Sequence, residues 1–246
     1  MSELAIIGGT GLTTLKNLEI IGREIIQTPY GETSGPITHG ELAGKKVIFL
    51  PRHGYGHTIP PHKINYRANI WALKDSGAEK IIAVAAVGGI TAEMGPEKIV
   101  IPDQIVDYTW SRVNTFFEEG LSSVTHIDFS EPYCDELRNQ IIECARELKL
   151  NAAEAGTYAA TQGPRLETRA EIDKLEKDGC HIVGMTGMPE AALARELDIC
   201  YATIAVVANR AAGRTKEELT MEMIEHNLSA GMGRVRELLE NVIPKI

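Results

Sequence analysis

Several things are scarce in this 246-residue chain, and each scarcity excludes a class of protein. Aromatic residues make up only 5% of it, and positive charge is in deficit: 25 Lys and Arg against 34 Asp and Glu, a formal net charge of −9. That balance argues against nucleic acid or an anionic membrane surface as the main partner, while local sites for small anions stay open. No stretch approaches the 18 apolar residues that a membrane span needs. The four cysteines, Cys134, Cys144, Cys180 and Cys200, contain no C-x-x-C pair, so neither a zinc site nor a thioredoxin-like motif is indicated. A reduced, cytoplasmic setting is expected. The opening MSELAIIGGTGL has no basic region before its short apolar run and no small-residue cleavage signal, and does not read as a secretory peptide. Internal repeats, low-complexity tracts and Pro/Ser-rich linkers are also lacking, so one domain spanning residues 1–246 is expected.

What is present is the composition of an ordinary globular protein, 43% hydrophobic and 24% charged. Short apolar runs alternate with helical periodicities, which predicts an α/β fold with a central mixed sheet flanked by helices. Strands are expected at 4–7, 46–50, 81–87, 99–101, 181–185 and 200–207, all apolar enough to be buried on both faces. A helix is expected over about 63–76, with Ile64, Ala68, Trp71 and Ala72 on one face and Gly77 as its stop. Others contain Leu137, Ile141, Ala145 and Leu148, or begin at Pro189. In the longest, Thr215 and Glu218 match a capping box ahead of the stripe Ile224, Leu228, Met232, Val235, Leu239 and Val242.

Several segments could carry chemistry. Gly8, Gly9, Thr10 and Gly11 directly follow the first strand, where backbone N–H groups and a hydroxyl can surround an anion, although a plain Gly-rich turn is an even alternative. Neither the dinucleotide fingerprint nor the P-loop is matched. Arg52 and His53, in PRHGYGH, end a strand and could meet a phosphate with a bidentate fork and an imidazole N–H. AAVGGI at 85–90 places two more glycines past a buried strand. Three such loops at strand ends favour one shared pocket. In GMTGMPEAALA, Thr186 offers a hydroxyl and Glu190 a carboxylate, which could equally serve the helix dipole. In QGPRLETRAE, Glu167 is either a site acid or a first-turn helix acid, and Asn209, in VVANRAAG, either a ligand amide or a turn former.

Together GGTGL, RHG, HKINYRANIWALK, VGGI, HIDFSEPYC, GPRLET and GMTGMPEAALA, in order over nearly the whole chain, resemble the trimeric purine nucleoside and 5′-methylthioadenosine phosphorylase family. The resemblance implies that inorganic phosphate, as co-substrate, attacks the anomeric carbon of a purine nucleoside, with no metal or organic cofactor. It implies phosphate binding by Thr10, Arg52, His53, Ala86 and Thr186, with Ala86 acting through its backbone. Met185 would lie against the sugar, and Leu166, Ala211 and Ile224 would line the nucleoside pocket. His126 would be lent by a neighbouring subunit, so that a homotrimer completes the site.

Asn209 and Glu167 are implied as the catalytic pair at the base. Adenine-selective members carry an aspartate and a small hydroxyl residue at those positions, and this chain is similar to the 6-oxopurine members at both. Asn209 would bond O6 and N7–H, and Glu167 would accept from N1–H, a donor that hypoxanthine and guanine have and adenine lacks. Where ordinary 6-oxopurine members place a histidine for the 5′-hydroxyl, this chain has Met221, which suits a methylthio group; a core-facing Met is the alternative. The two differences together predict 5′-methylthioinosine as substrate. A general inosine/guanosine phosphorylase, a 5′-methylthioadenosine phosphorylase and a purine-binding module without turnover are the competing readings.

Overall fold

The structure, a computed structural model, describes residues 4–15, 17–216 and 220–246, without the side chains of Met221 and Glu225. In chain order its elements are β1 Leu4–Gly8, β2 Glu19–Glu24, β3 Ile37–Leu42, β4 Lys45–Pro51, α1 Tyr66–Asp75, β5 Lys80–Gly89, β6 Ile99–Val100, β7 Gln104–Asp107, α2 Asp135–Glu147, β8 Ala152–Ala153, β9 Thr157–Ala160, α3 Arg169–Lys177, β10 Ile182–Gly184, α4 Gly187–Glu196, β11 Cys200–Arg210 and α5 Met221–Val242. All six expected strands are present. Five more join them: β2 and β3 form an antiparallel hairpin at one edge, and β7, β8 and β9 are runs of two to four residues.

One mixed sheet runs β2-β3-β4-β1-β5-β10-β9-β7, with β11 against β5 and β6. Alternation across it is strict in β1, where Ala5 and Ile7 belong to one core cluster and Leu4 and Ile6 to the other. The first cluster takes Ile70 and Leu73 of α1 with Ala191, Leu193 and Ala194 of α4. The second takes Leu137 and Ile141 of α2 with Val235 and Leu239 of α5. Burial on both faces explains why these strands read as continuous apolar runs.

β5 positions the site. Along one edge it pairs with β11 throughout; along the other it pairs with β1 only from Lys80 to Ala83, and with β10 only at Gly88 and Gly89. The sheet therefore forks, and the edge from Val84 to Val87 faces a gap instead of a strand. A register shift between Val207 and Asn209 in β11 sets Asn209 opposite Gly88, at the far end of that gap.

Three local expectations are corrected. The helix expected from about 63 begins at Tyr66, because the Asn65 side chain caps it by accepting from the Ala68 N–H. The capping box at Thr215 does not open α5: that helix starts at Met221, with Thr220 Oγ1 accepting from the Met223 N–H, and Glu218 lies outside the described residues. Gly213 at φ 78° and the turn from Ala211 to Arg214 hold the preceding chain off a helical path. Finally, the cysteine spacing concealed a bridge. Cys134 precedes α2 and donates its N–H to the Tyr201 carbonyl, which brings it beside Cys200; the two form a disulfide with Cα atoms 5.1 Å apart. Cys144 and Cys180 are free and buried, so the expectation of a reduced setting loses its cysteine support. Among the described residues no helix is long and apolar enough to cross a membrane.

Candidate active site

A cavity of about 480 Å³ fills the fork. Its floor is polar and buried. Arg52, 1% exposed, leaves the end of β4 and donates from Nε to Glu190 Oε2 at 2.6 Å, from Nη2 to Glu190 Oε1 at 2.7 Å and from Nη1 to the Val84 carbonyl at 2.8 Å. The bidentate fork expected for phosphate is thus occupied by Glu190, and two of the five guanidinium N–H groups remain for an anion. Burial alone would push the Arg52 pKa down; the Glu190 carboxylate reverses this, and the net shift is upward. Glu190 is no dipole ornament. It is itself 1% exposed and also receives the Tyr201 hydroxyl at 2.8 Å.

Packing explains the glycine beside it. A Cβ at Gly9 would lie 2.4 Å from the Val84 carbonyl oxygen and 2.9 Å from Arg52 Nη1, so only glycine lets β5 and the guanidinium approach this loop.

His53 is also set differently from the expectation. Its Nδ1 is 2.8 Å from the Ile59 carbonyl, which can only accept, so Nδ1 carries the proton. Burial and then the Arg52 charge lower its pKa to about 4. The ring is neutral near pH 7, and Nε2 offers a lone pair rather than the N–H expected for phosphate. Thr10 Oγ1 lies 3.0 Å from His57 Nε2, a partner not singled out from the sequence. Thr186 is buried ahead of the first turn of α4, and Ala86 lies on the unpaired edge of β5.

The opposite wall combines the loop before α3 with the bulged end of β11. Glu167 lies one residue before Thr168, the N-cap of α3, so it is not a first-turn acid; the genuine capping box is Thr168 with Glu171. Its Oε1 accepts from Thr161 Oγ1 at 2.7 Å. Asn209 donates one Nδ2 N–H to the Arg210 carbonyl at 2.8 Å, leaving its other N–H and Oδ1. The bulge is pinned by Asn227 of α5, which donates to the Ala208 carbonyl. Gly163, at φ 62°, would put a Cβ 2.4 Å from Met185 Sδ, so the turn before Glu167 rests directly on Met185.

Arg112 ties these walls together. It donates to the carbonyls of Met185, Met188, Thr161 and Gln162 and stands over the Tyr66 ring. Farther along the same loop, Glu196 accepts from the Thr115 hydroxyl and the Phe116 N–H. The 112–121 loop is therefore anchored on its own chain, a point on which the sequence is silent.

The phosphorylase superfamily model matches residues 3–244. The chain belongs to that superfamily. The phosphorylase is 54% identical over 243 residues to the probable S-methyl-5′-thioinosine phosphorylase of Pseudomonas syringae pv. tomato, covering 99% of each chain. It is 46% identical over 251 residues to the probable 6-oxopurine nucleoside phosphorylase of Thermococcus kodakarensis, covering 100% of this chain and 93% of that one. Among solved structures, Schistosoma mansoni methylthioadenosine phosphorylase in complex with adenine superposes with a TM-score of 0.94 at 32% identity, over 99% of this chain and 91% of that one.

Of the residues singled out from the sequence, Thr10, Arg52, His53, Ala86, Leu166, Glu167, Met185, Thr186, Asn209, Ala211 and Ile224 all line the phosphorylase cavity. His126 does not line it; it is exposed on the 108–130 segment of the same chain. The side chain of Met221 lies outside the described residues. Sequence reasoning missed His57, Thr161 and Arg112 and undervalued Glu190. A buried Arg without a carboxylate beside it in sequence was the signal that could have found Glu190.

Proposed function

We propose that this chain catalyses the reversible phosphorolysis of S-methyl-5′-thioinosine, giving hypoxanthine and S-methyl-5-thioribose 1-phosphate. The observation that supports the reading is that one cavity is lined both by a carboxylate acceptor, Glu167, with an amide, Asn209, and by the buried Arg52, His53 and Thr186. Phosphate binds on the floor, held by the two remaining Arg52 N–H groups, Thr10, Thr186 and the Ala86 backbone. The His53 lone pair accepts the O–H of hydrogen phosphate, which turns an unprotonated oxygen toward the anomeric carbon. That oxygen bonds to the carbon as the glycosidic bond to the base breaks through an oxocarbenium-like state. Asn209 stabilises the leaving purine at O6 and N7, and Glu167 accepts from its N1–H. The proton brought by hydrogen phosphate balances the one that hypoxanthine carries away.

Adenine, with an unprotonated N1, would set acceptor against acceptor at Glu167. On the sugar side, α5 contributes the apolar Ile224 and Leu228 to the cavity, and neither can bond a 5′-hydroxyl. Relatives named for each half of this specificity, methylthioinosine and 6-oxopurines, support the combination. A homotrimer would seat His126 in a neighbour's cavity and cover the exposed Trp110, Val113, Leu121 and Val124 nearby.

The test is base release from methylthioinosine, inosine and methylthioadenosine, with and without phosphate. Phosphate-dependent turnover led by methylthioinosine is expected. Equal kcat/KM for inosine would make this a general 6-oxopurine phosphorylase, and faster release of adenine from methylthioadenosine would overturn the roles of Glu167 and Asn209.

A further inference from the structure

Glu167 reaches the cavity from a loop, half-buried, yet its carboxylate is not free to turn. Thr161 follows the last residue of β9 and is fixed on three sides. Its N–H donates to the Gly184 carbonyl at 2.8 Å, its own carbonyl accepts from Arg112 Nη2 at 3.2 Å, and its hydroxyl lies 2.7 Å from Glu167 Oε1. The Gly184 carbonyl is also within reach of that hydroxyl, at 3.2 Å. A hydroxyl has one proton, and the nearer, charged oxygen is the stronger acceptor. Among the described residues no other hydrogen bond to Glu167 is formed, so Oε2 has no hydrogen-bond partner, although the Arg165 charge is near enough to be felt.

We propose that Thr161 is a specificity-determining positioning residue: by holding Oε1 it leaves Glu167 one unengaged oxygen, matched to the single N1–H of a hypoxanthine base and mismatched to guanine. Guanine presents two adjacent donors, N1–H and the exocyclic amino group, which a carboxylate meets best edge-on with both oxygens, as it meets an arginine fork. With Oε1 tied to a strand-anchored hydroxyl and only its second lone pair left, swinging both oxygens toward the base works against a short charge-assisted bond. The inference rests on Glu167 reading the base N1–H.

The experiment measures kcat/KM for inosine, guanosine and 1-methylinosine, together with the KM for phosphate, on the wild-type enzyme, T161V, T161A and T161S. The wild type should prefer inosine to guanosine. T161V should move the guanosine-to-inosine ratio about tenfold toward guanosine, the scale of one hydrogen bond to a charged group. T161S, which keeps the hydroxyl, should restore the wild-type ratio, and the phosphate KM should stay put throughout. T161A removes the hydroxyl without adding a methyl group and should give the same shift if T161V folds poorly. An unchanged ratio in both variants, with the two nucleosides losing activity together, would overturn the proposal and make Thr161 merely structural. The methylated substrate separates this from the reading beneath it, because it lacks the N1–H. If the wild type turns it over as well as inosine, Glu167 does not read N1–H at all; if it is rejected while the ratio holds in both variants, only the role of Thr161 falls.

Discussion

The two walls of the cavity are built in opposite ways. On the floor, Arg52 and His53 in the turn that leaves β4 and Thr186 and Glu190 at the start of α4 are all buried, and Arg52 and Glu190 hold each other with two short bonds. On the other wall, Glu167 hangs from a loop by one hydroxyl, Leu166 is 50% exposed, and α5 enters through a segment that begins outside the described residues. On the function proposed for the cavity, the difference follows from what each wall would have to do. Phosphate is common to every reaction of this kind, so its groups can be preorganised once, with the cost of burying charge met by a fixed counter-ion. The nucleoside differs from enzyme to enzyme, and loops can exchange single side chains without disturbing a core.

If that contrast is real, breaking the floor should cost stability and breaking the other wall should cost selectivity. The largest effect is expected from Glu190→Ala, which strands a buried guanidinium: urea unfolding should show a loss of about 3–5 kcal/mol. Replacing both partners by apolar residues should be less destabilising than this single change, and a double variant that is worse would deny that Arg52 and Glu190 act as a pair. His53 comes next, through pH. Its folded pKa of about 4 lies below the 6.5 ordinary for a free imidazole, so between those values the unfolded chain binds more protons. Its contribution is complete above about pH 6.5 and is lost as pH falls toward 4, a decline of about 3 kcal/mol. Unfolding at pH 7 and pH 4.5 should show this slope in the wild type and a shallower one in His53→Gln.

How far the sequence reveals these two walls also differs. Strands with continuous apolar runs, such as β5 and β11, are legible because burial on both faces leaves no other composition open to them. β2 is not, since Ile20 and Ile21 lie exposed on an edge strand and carry no period-two signal. The residues that touch the cavity were found because their motifs keep them next to glycines and strand ends. The pairings that support them were not, because Arg52 and Glu190 are 138 positions apart and Arg112 bonds segments 46 to 76 positions away. The same distance hid the disulfide between Cys134 and Cys200, which only the pairing of the chain before α2 with β11 makes possible.

On the loop wall, Glu167→Gln should lower kcat/KM for 6-oxopurine nucleosides about 10- to 100-fold, because the amide can turn a donor toward N1–H where the carboxylate only accepts. The phosphate KM and the unfolding midpoint should barely move. A matching rise in phosphate KM would mean that the two walls are coupled through Arg112 and do not act independently.

The smallest and most selective effect is expected at position 221. Ile224 and Leu228 of α5 line the cavity, and the sequence spacing of three and seven residues from 221 is the reason that position is proposed as part of the 5′ pocket. A thioether packs against a methylthio group and is a poor partner for a hydroxyl; an imidazole is the reverse. Met221→His should therefore raise the kcat/KM ratio of inosine to methylthioinosine about tenfold, or about 1.4 kcal/mol of discrimination. Stability should be nearly unchanged, because the substitution sits at the first position of a helix. If the ratio does not move, selectivity at the 5′ position lies with Ile224 and Leu228, and widening one of them should then admit the hydroxyl where the histidine did not.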